Sequence, residues 1–75
     1  MQPLPPKLLK HIADMPEVIQ AEKIALFNDI FKQAQALNLQ SARFWAMRQV
    51  VSGRTQAEIQ RKLKKRGNNK IDTKA

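Results

Sequence analysis

Between Arg61 and Arg66 the chain sets five cations in six residues, Arg61, Lys62, Lys64, Lys65 and Arg66, with no acidic residue among them. Guanidinium and ammonium groups at that density suit a polyanion, because each phosphate neutralised on a nucleic-acid backbone releases condensed counterion. On a helix drawn at about 100° per residue, Arg54, Arg61, Lys62 and Lys65 lie within about a quarter turn of one direction, and Ile59 and Leu63 lie near the opposite side. Such a helix docks by its two apolar residues and presents a cationic ridge. Lys64, Arg66 and Lys70 extend the ridge around and beyond its end. Cations in a last helical turn also complement the helix dipole and often serve nothing else. The length of this run, uncompensated by acid, favours binding over idle solvation. Trp45 is the second group of interest. On its own helix it stands beside Arg48, Gln49 and Ser52 and away from Phe44, Met47 and Val51. Two roles are open to it: a core residue roofed by the first helix, or, with Arg48, a stacking platform or an anchor in a protein interface.

Catalytic chemistry lacks its parts. The chain has no Cys, which excludes a disulfide framework and any Cys-based zinc site. His11 is the one histidine and has no partner at ligand spacing. Asp14 and Glu17 stand three residues apart at a helix start, where capping and the helix dipole account for them. Ser41 and Ser52 sit in no nucleophile-elbow sequence, and the two glycines, Gly53 and Gly67, are too far apart for a phosphate-cradling loop. The expectation is a protein that is not an enzyme and uses no cofactor and no metal.

The charge is distributed unevenly. Residues 1–37 carry four lysines against four acids and sum to zero, whereas residues 38–75 carry ten Lys and Arg against Glu58 and Asp72, so the whole net charge of +8 lies in the second half. A like-charged half repels itself unless an anionic partner is near. That asymmetry points to DNA or RNA, through the phosphate backbone, or to an acidic protein surface. No segment approaches the ~20 apolar residues of a membrane span, and the opening Met1-Gln-Pro-Leu-Pro-Pro lacks the pattern of a secretion signal. A cytoplasmic protein with no membrane partner is expected.

These groups need helices to hold them. No run alternates with period two, and Val and Ile are few, so the fold class expected is all-α: a small bundle of three to four helices. Residues 1–6, with three prolines, form an extended arm; residues 7–67 form one helical domain; residues 68–75 form a flexible, basic tail. Within the domain, Lys7–Ala13 is a short first helix. A second spans about residues 16–37, with Asp14 as its cap and Pro16 in its first turn. Its apolar residues, among them Ile19, Ile24, Leu26, Phe27, Ile30, Phe31, Ala34 and Leu37, fill an arc of about 160° that Gln20 and Lys23 interrupt. So wide a stripe predicts packing between two other helices or a homodimer contact. A third helix covers 42–52, with Ser41 as N-cap, Gly53 as its C′ residue, and Phe44, Met47, Val50 and Val51 on one face. The fourth starts at a capping box, Thr55-Gln-Ala-Glu58, and ends at Gly67.

The segment Arg54-Thr-Gln-Ala-Glu-Ile-Gln-Arg-Lys-Leu63 resembles the opening helix of many helix-turn-helix domains. The resemblance implies a DNA-binding module, but the apolar-patterned recognition helix that would follow is absent, because Leu63 is succeeded by Lys-Lys-Arg-Gly67 and then by residues of which Ile71 alone is large and apolar. No base-reading residue is assigned from it. The leading expectation is a small nucleic-acid-binding accessory or regulatory protein using Arg48, Arg54, Arg61, Lys62, Lys64, Lys65, Arg66 and Lys70 on the phosphate backbone. The alternative is a helical protein–protein adaptor or inhibitor that docks an apolar face holding Trp45, Phe27 and Phe31 on a partner.

Overall fold

Proline placement sets where the first helix begins. Pro5 is extended (φ −60°, ψ 138°) and α1 (Pro6–Ile12) opens with Pro6 at a position whose missing N–H costs no hydrogen bond. The computed structural model describes residues 4–72 of the chain, with side chains as far as Arg66; the first half of the expected arm, residues 1–3, and the last three residues of the expected tail lie outside that range.

The second helix, α2 (Glu17–Ala36), begins after an extended Pro16, and no side chain caps it. Asp14 does not take the capping role expected of it. The turn is fixed instead by Gln20, whose Nε2 donates to the carbonyls of Met15 (2.9 Å) and Ala13 (3.5 Å). That is why a polar residue interrupts the apolar arc: its amide satisfies carbonyls that the end of α1 leaves open. The far end of α2 closes with a Schellman motif. Asn38 is left-handed (φ 58°), its N–H donates to Gln35 (2.9 Å), and the N–H of Leu39 donates to Ala34 (3.0 Å). Asn tolerates that conformation better than most residues. Leu39 then packs against the core.

The third helix, α3 (Ala42–Val51), has Ser41 at its N-cap as expected, with its carbonyl accepting from the Trp45 N–H (2.9 Å), but Ser41 is left-handed (φ 54°) and its side chain makes no capping hydrogen bond. With the backbone turned that way the hydroxyl is not presented to the first-turn N–H groups. Gly53 does serve as the C′ residue: φ is +77°, and its N–H donates to Val50 (3.1 Å).

The capping box at the start of α4 (Gln56–Asp72) forms as the sequence predicts. The Glu58 N–H donates to Thr55 Oγ1 (3.2 Å), while the Thr55 N–H and hydroxyl donate to Glu58 Oε1 (2.9 and 3.2 Å). The helix does not stop at Gly67 but continues to Asp72. A glycine inside a helix costs ~1 kcal/mol relative to alanine, against ~3 for proline, and no proline follows it.

Among the described residues ten side chains make the core: Leu8 and Ile12 from α1, Phe27, Ile30 and Ala34 from α2, Ala46, Met47 and Val50 from α3, and Ile59 and Leu63 from α4. The wide stripe of α2 is used by packing against all three other helices, while α1 also packs on α3. Ile24, Leu26, Phe31 and Leu37 are half-buried against this core. Phe27 is 2% exposed and stacks on Phe31 with ring centroids 5.8 Å apart. It is therefore a core residue and cannot serve as the interface contact named for it. Phe44 departs the other way. Expected to share a face with Met47, Val50 and Val51, it is 52% exposed and lies beside Pro5, Pro6 and Met47. Among the described residues no helix is long and apolar enough to cross a membrane.

Candidate nucleic-acid interface

Two helices contribute matching triplets to one cleft. On α3, Trp45, Arg48 and Gln49 stand at positions i, i+3 and i+4; on α4, Lys62, Lys65 and Arg66 repeat the same spacing. Residues so spaced share one helix face. The buried positions fix which way each face turns. Ala46, Met47 and Val50 hold α3 on the core, and Ile59 and Leu63 hold α4. The two triplets, with Arg54 from the intervening turn and Asn38, Leu39 and Gln40 from the α2–α3 connection, line a cleft of about 670 Å³.

Arg66 closes one side of it, its guanidinium carbon 5.9 Å from the centroid of the Trp45 ring. That is within the range of a cation–π contact. Trp45 is half-buried and packs against the core. From the basic helix, Arg66 stands over this ring. Arg48 has its guanidinium carbon 5.9 Å from the centroid of the Phe44 ring. Arg54 is positioned by a relay: its Nη1 donates to Ser52 Oγ (2.5 Å), and that hydroxyl donates to the backbone carbonyl of Gln49 (2.9 Å). The turn that permits the relay depends on the positive φ of Gly53.

Gln49 forms the floor. It is 6% exposed, the one buried polar residue among those described, and its Oε1 has no hydrogen-bond partner. An unsatisfied buried carbonyl costs ~1–3 kcal/mol. A cleft that retains one holds an unused acceptor.

The electrostatics are one-sided. Five lining residues are cationic and, among the described residues, none is acidic. Glu58, at the start of α4, is exposed and does not line the cleft. Its pKa is held below the ordinary carboxylate value, first by hydrogen bonds from the Thr55 backbone and hydroxyl, then by the charges of Arg54 and Arg61. That carboxylate is committed to the helix start. Like charges converging on a concave surface raise the local concentration of anions.

Of the eight cations named from the sequence, Arg48, Arg54, Lys62, Lys65 and Arg66 come together here. Arg61 and Lys64 are exposed on α4 outside the cleft lining, and the Lys70 side chain lies outside the described residues. The ridge drawn on a helical wheel is thus divided: Lys62 and Lys65 turn toward α3, while Arg61 does not join them. Sequence reasoning had placed Arg48 and Gln49 next to Trp45 but missed the Arg66–Trp45 contact and the floor made by Gln49. The repeated i, i+3, i+4 spacing was the available signal. No acid–base or nucleophile pair is present in the lining, and among the described residues no group of three or more His, Cys, Asp or Glu could hold a metal ion. What the arrangement can do is bind an anion that has a planar part. Comparison of the chain with protein-family models, with curated proteins and with solved structures found no match.

Proposed function

We propose that this chain is a small nucleic-acid-binding accessory or regulatory protein of the cytoplasm, without catalytic activity, that engages the phosphate backbone of DNA or RNA. The observation that supports this reading is the convergence of Arg48, Arg54, Lys62, Lys65 and Arg66 around Trp45. Phosphates satisfy the cations, and counterion release supplies the affinity. Exposed Arg61 and Lys64 lengthen the positive surface along α4, so contact with more than one phosphate is expected. The test is a titration against duplex and single-stranded DNA and RNA at several salt concentrations. If the five cleft cations each neutralise one phosphate, the log–log slope is about −3.5 on single strands and about −4.5 on duplex. Changing Arg61, Lys62, Lys64, Lys65 and Arg66 to Ala flattens it. A slope near zero, or one identical in that variant, refutes the reading.

One observation favours a second reading, a helical adaptor for a protein partner. Phe44 is 52% exposed and shares a shallow apolar cleft with Pro5, Pro6 and Met47. Loss of a protein partner on Phe44→Ala, with nucleic-acid affinity intact, supports it.

A further inference from the structure

We infer that the cleft between α3 and α4 takes an unpaired nucleobase, stacked on Trp45 with an edge N–H donated to Gln49 Oε1, so that the protein's ligand is single-stranded nucleic acid. The inference rests on the proposed backbone binding and adds the class of strand. Three features of one cavity converge on it. Five cations demand phosphates. The half-buried indole offers a face to a flat ring. Gln49 lines the cleft, and its Oε1, itself buried, has no donor and gains one when the amide turns toward an entering base. Phosphate oxygens only accept hydrogen bonds and leave that carbonyl unsatisfied, whereas nucleobases carry N–H donors on their edges. A volume of about 670 Å³ is that of a site for a small ligand.

Strand class follows from access. In a duplex the base faces are stacked on one another and out of reach of a ring set inside a cleft, while a single strand turns its bases outward onto aromatic and guanidinium planes. Arg66 now stands 5.9 Å from the Trp45 centroid. A base sandwiched between them needs about 7–8 Å, two contact distances of ~3.5–4.0 Å. The guanidinium therefore retreats by about 1–2 Å as the base enters, which an exposed side chain near the cleft mouth can do. The cations of α4 that lie outside the cleft, Arg61 and Lys64, serve neighbouring phosphates. This favours a nucleotide within a strand over a free one.

Trp45 is the only tryptophan, so its emission reports the site directly. The unaltered protein is titrated with a short oligodeoxycytidylate, with an abasic deoxyribose-phosphate oligomer of equal length, with cytidine monophosphate and with polyglutamate. The expected result is quenching by the base-bearing strand alone and weaker binding of the other three. Stacking of one base corresponds to a loss of about five- to a hundredfold on Trp45→Leu, and one hydrogen bond to about three- to tenfold on Gln49→Met. Both losses are confined to the base-bearing strand. Equal binding of the oligodeoxycytidylate and the abasic oligomer, with Trp45 unquenched, overturns the base site and leaves the backbone reading intact. No binding of either strand at low salt overturns both. Cytidine monophosphate binding as tightly as the strand, or polyglutamate doing so, also overturns the inference. Where Trp45→Leu fails to fold, the abasic comparison on the unaltered protein still decides.

Discussion

Replacing Gln49 by methionine is expected to make the protein more stable while weakening the binding proposed for it. Gln49 is 6% exposed and its Oε1 has no hydrogen-bond partner. A buried acceptor in that state costs ~1–3 kcal/mol relative to a satisfied one. Methionine keeps the unbranched shape and nearly the same helix propensity, so α3 itself is not perturbed. The thioether needs no partner and fills the same floor. Taking the lower bound of ~1 kcal/mol, and ~4–8 °C of Tm per kcal/mol for a domain of this size, the variant melts about 4–8 °C higher. A single small core supplies only ~3–5 kcal/mol in total, so the gain is a large fraction of the whole. Thermal unfolding followed by circular dichroism at fixed protein concentration measures it. An unchanged or lower Tm, with helicity retained, refutes the reasoning: the Gln49 carbonyl would then be satisfied in solution, and no unused acceptor would wait for a ligand.

Thr55→Ala removes the hydroxyl half of the capping box and is expected to cost ~1 kcal/mol, read as a lower midpoint in urea with unchanged slope. The pH dependence of the same box has a definite sign. Because Thr55, and after it Arg54 and Arg61, hold the Glu58 carboxyl below its ordinary range, its contribution is complete above the unfolded-chain value of about 4.3. It disappears as pH falls through the lower folded value. The difference in Tm between the parent and Glu58→Gln should therefore shrink on acidification; a difference constant with pH contradicts the assignment. Ile59→Ala, at one of the two side chains of α4 that are buried among the described residues, is expected to cost ~2–5 kcal/mol and so to leave a largely unfolded chain by circular dichroism. Gly53→Ala meets no atom within 4 Å of the added Cβ, so its cost comes from the positive φ of 77° alone, ~1–2 kcal/mol. A cost near zero in chemical denaturation would mean that the turn carrying Arg54 relaxes.

The division between what the chain's composition and spacing decided and what packing decided runs through particular residues. Helical class, the capping box of Thr55 and Glu58, the C′ role of Gly53 and the burial of Ile59 and Leu63 were all legible, because each depends on residues within one turn or on one periodicity. The cation run was legible for the same reason. Illegible were the places where a local preference met a tertiary alternative. Asp14 and Ser41 have side chains that cap helices well, yet Gln20 closes one turn and a left-handed backbone forms the other. Phe44 shares a helical face with Met47, but burial requires a neighbour that covers it, and the ring is left 52% exposed. The cleft itself belongs to this second kind. A helical wheel orders the side chains of one helix around its own axis and says nothing of what stands opposite. Only the packing of α3 and α4 on a common core turned Trp45, Arg48 and Gln49 toward Lys62, Lys65 and Arg66. It separated these from Arg61 and left one amide oxygen buried without a partner.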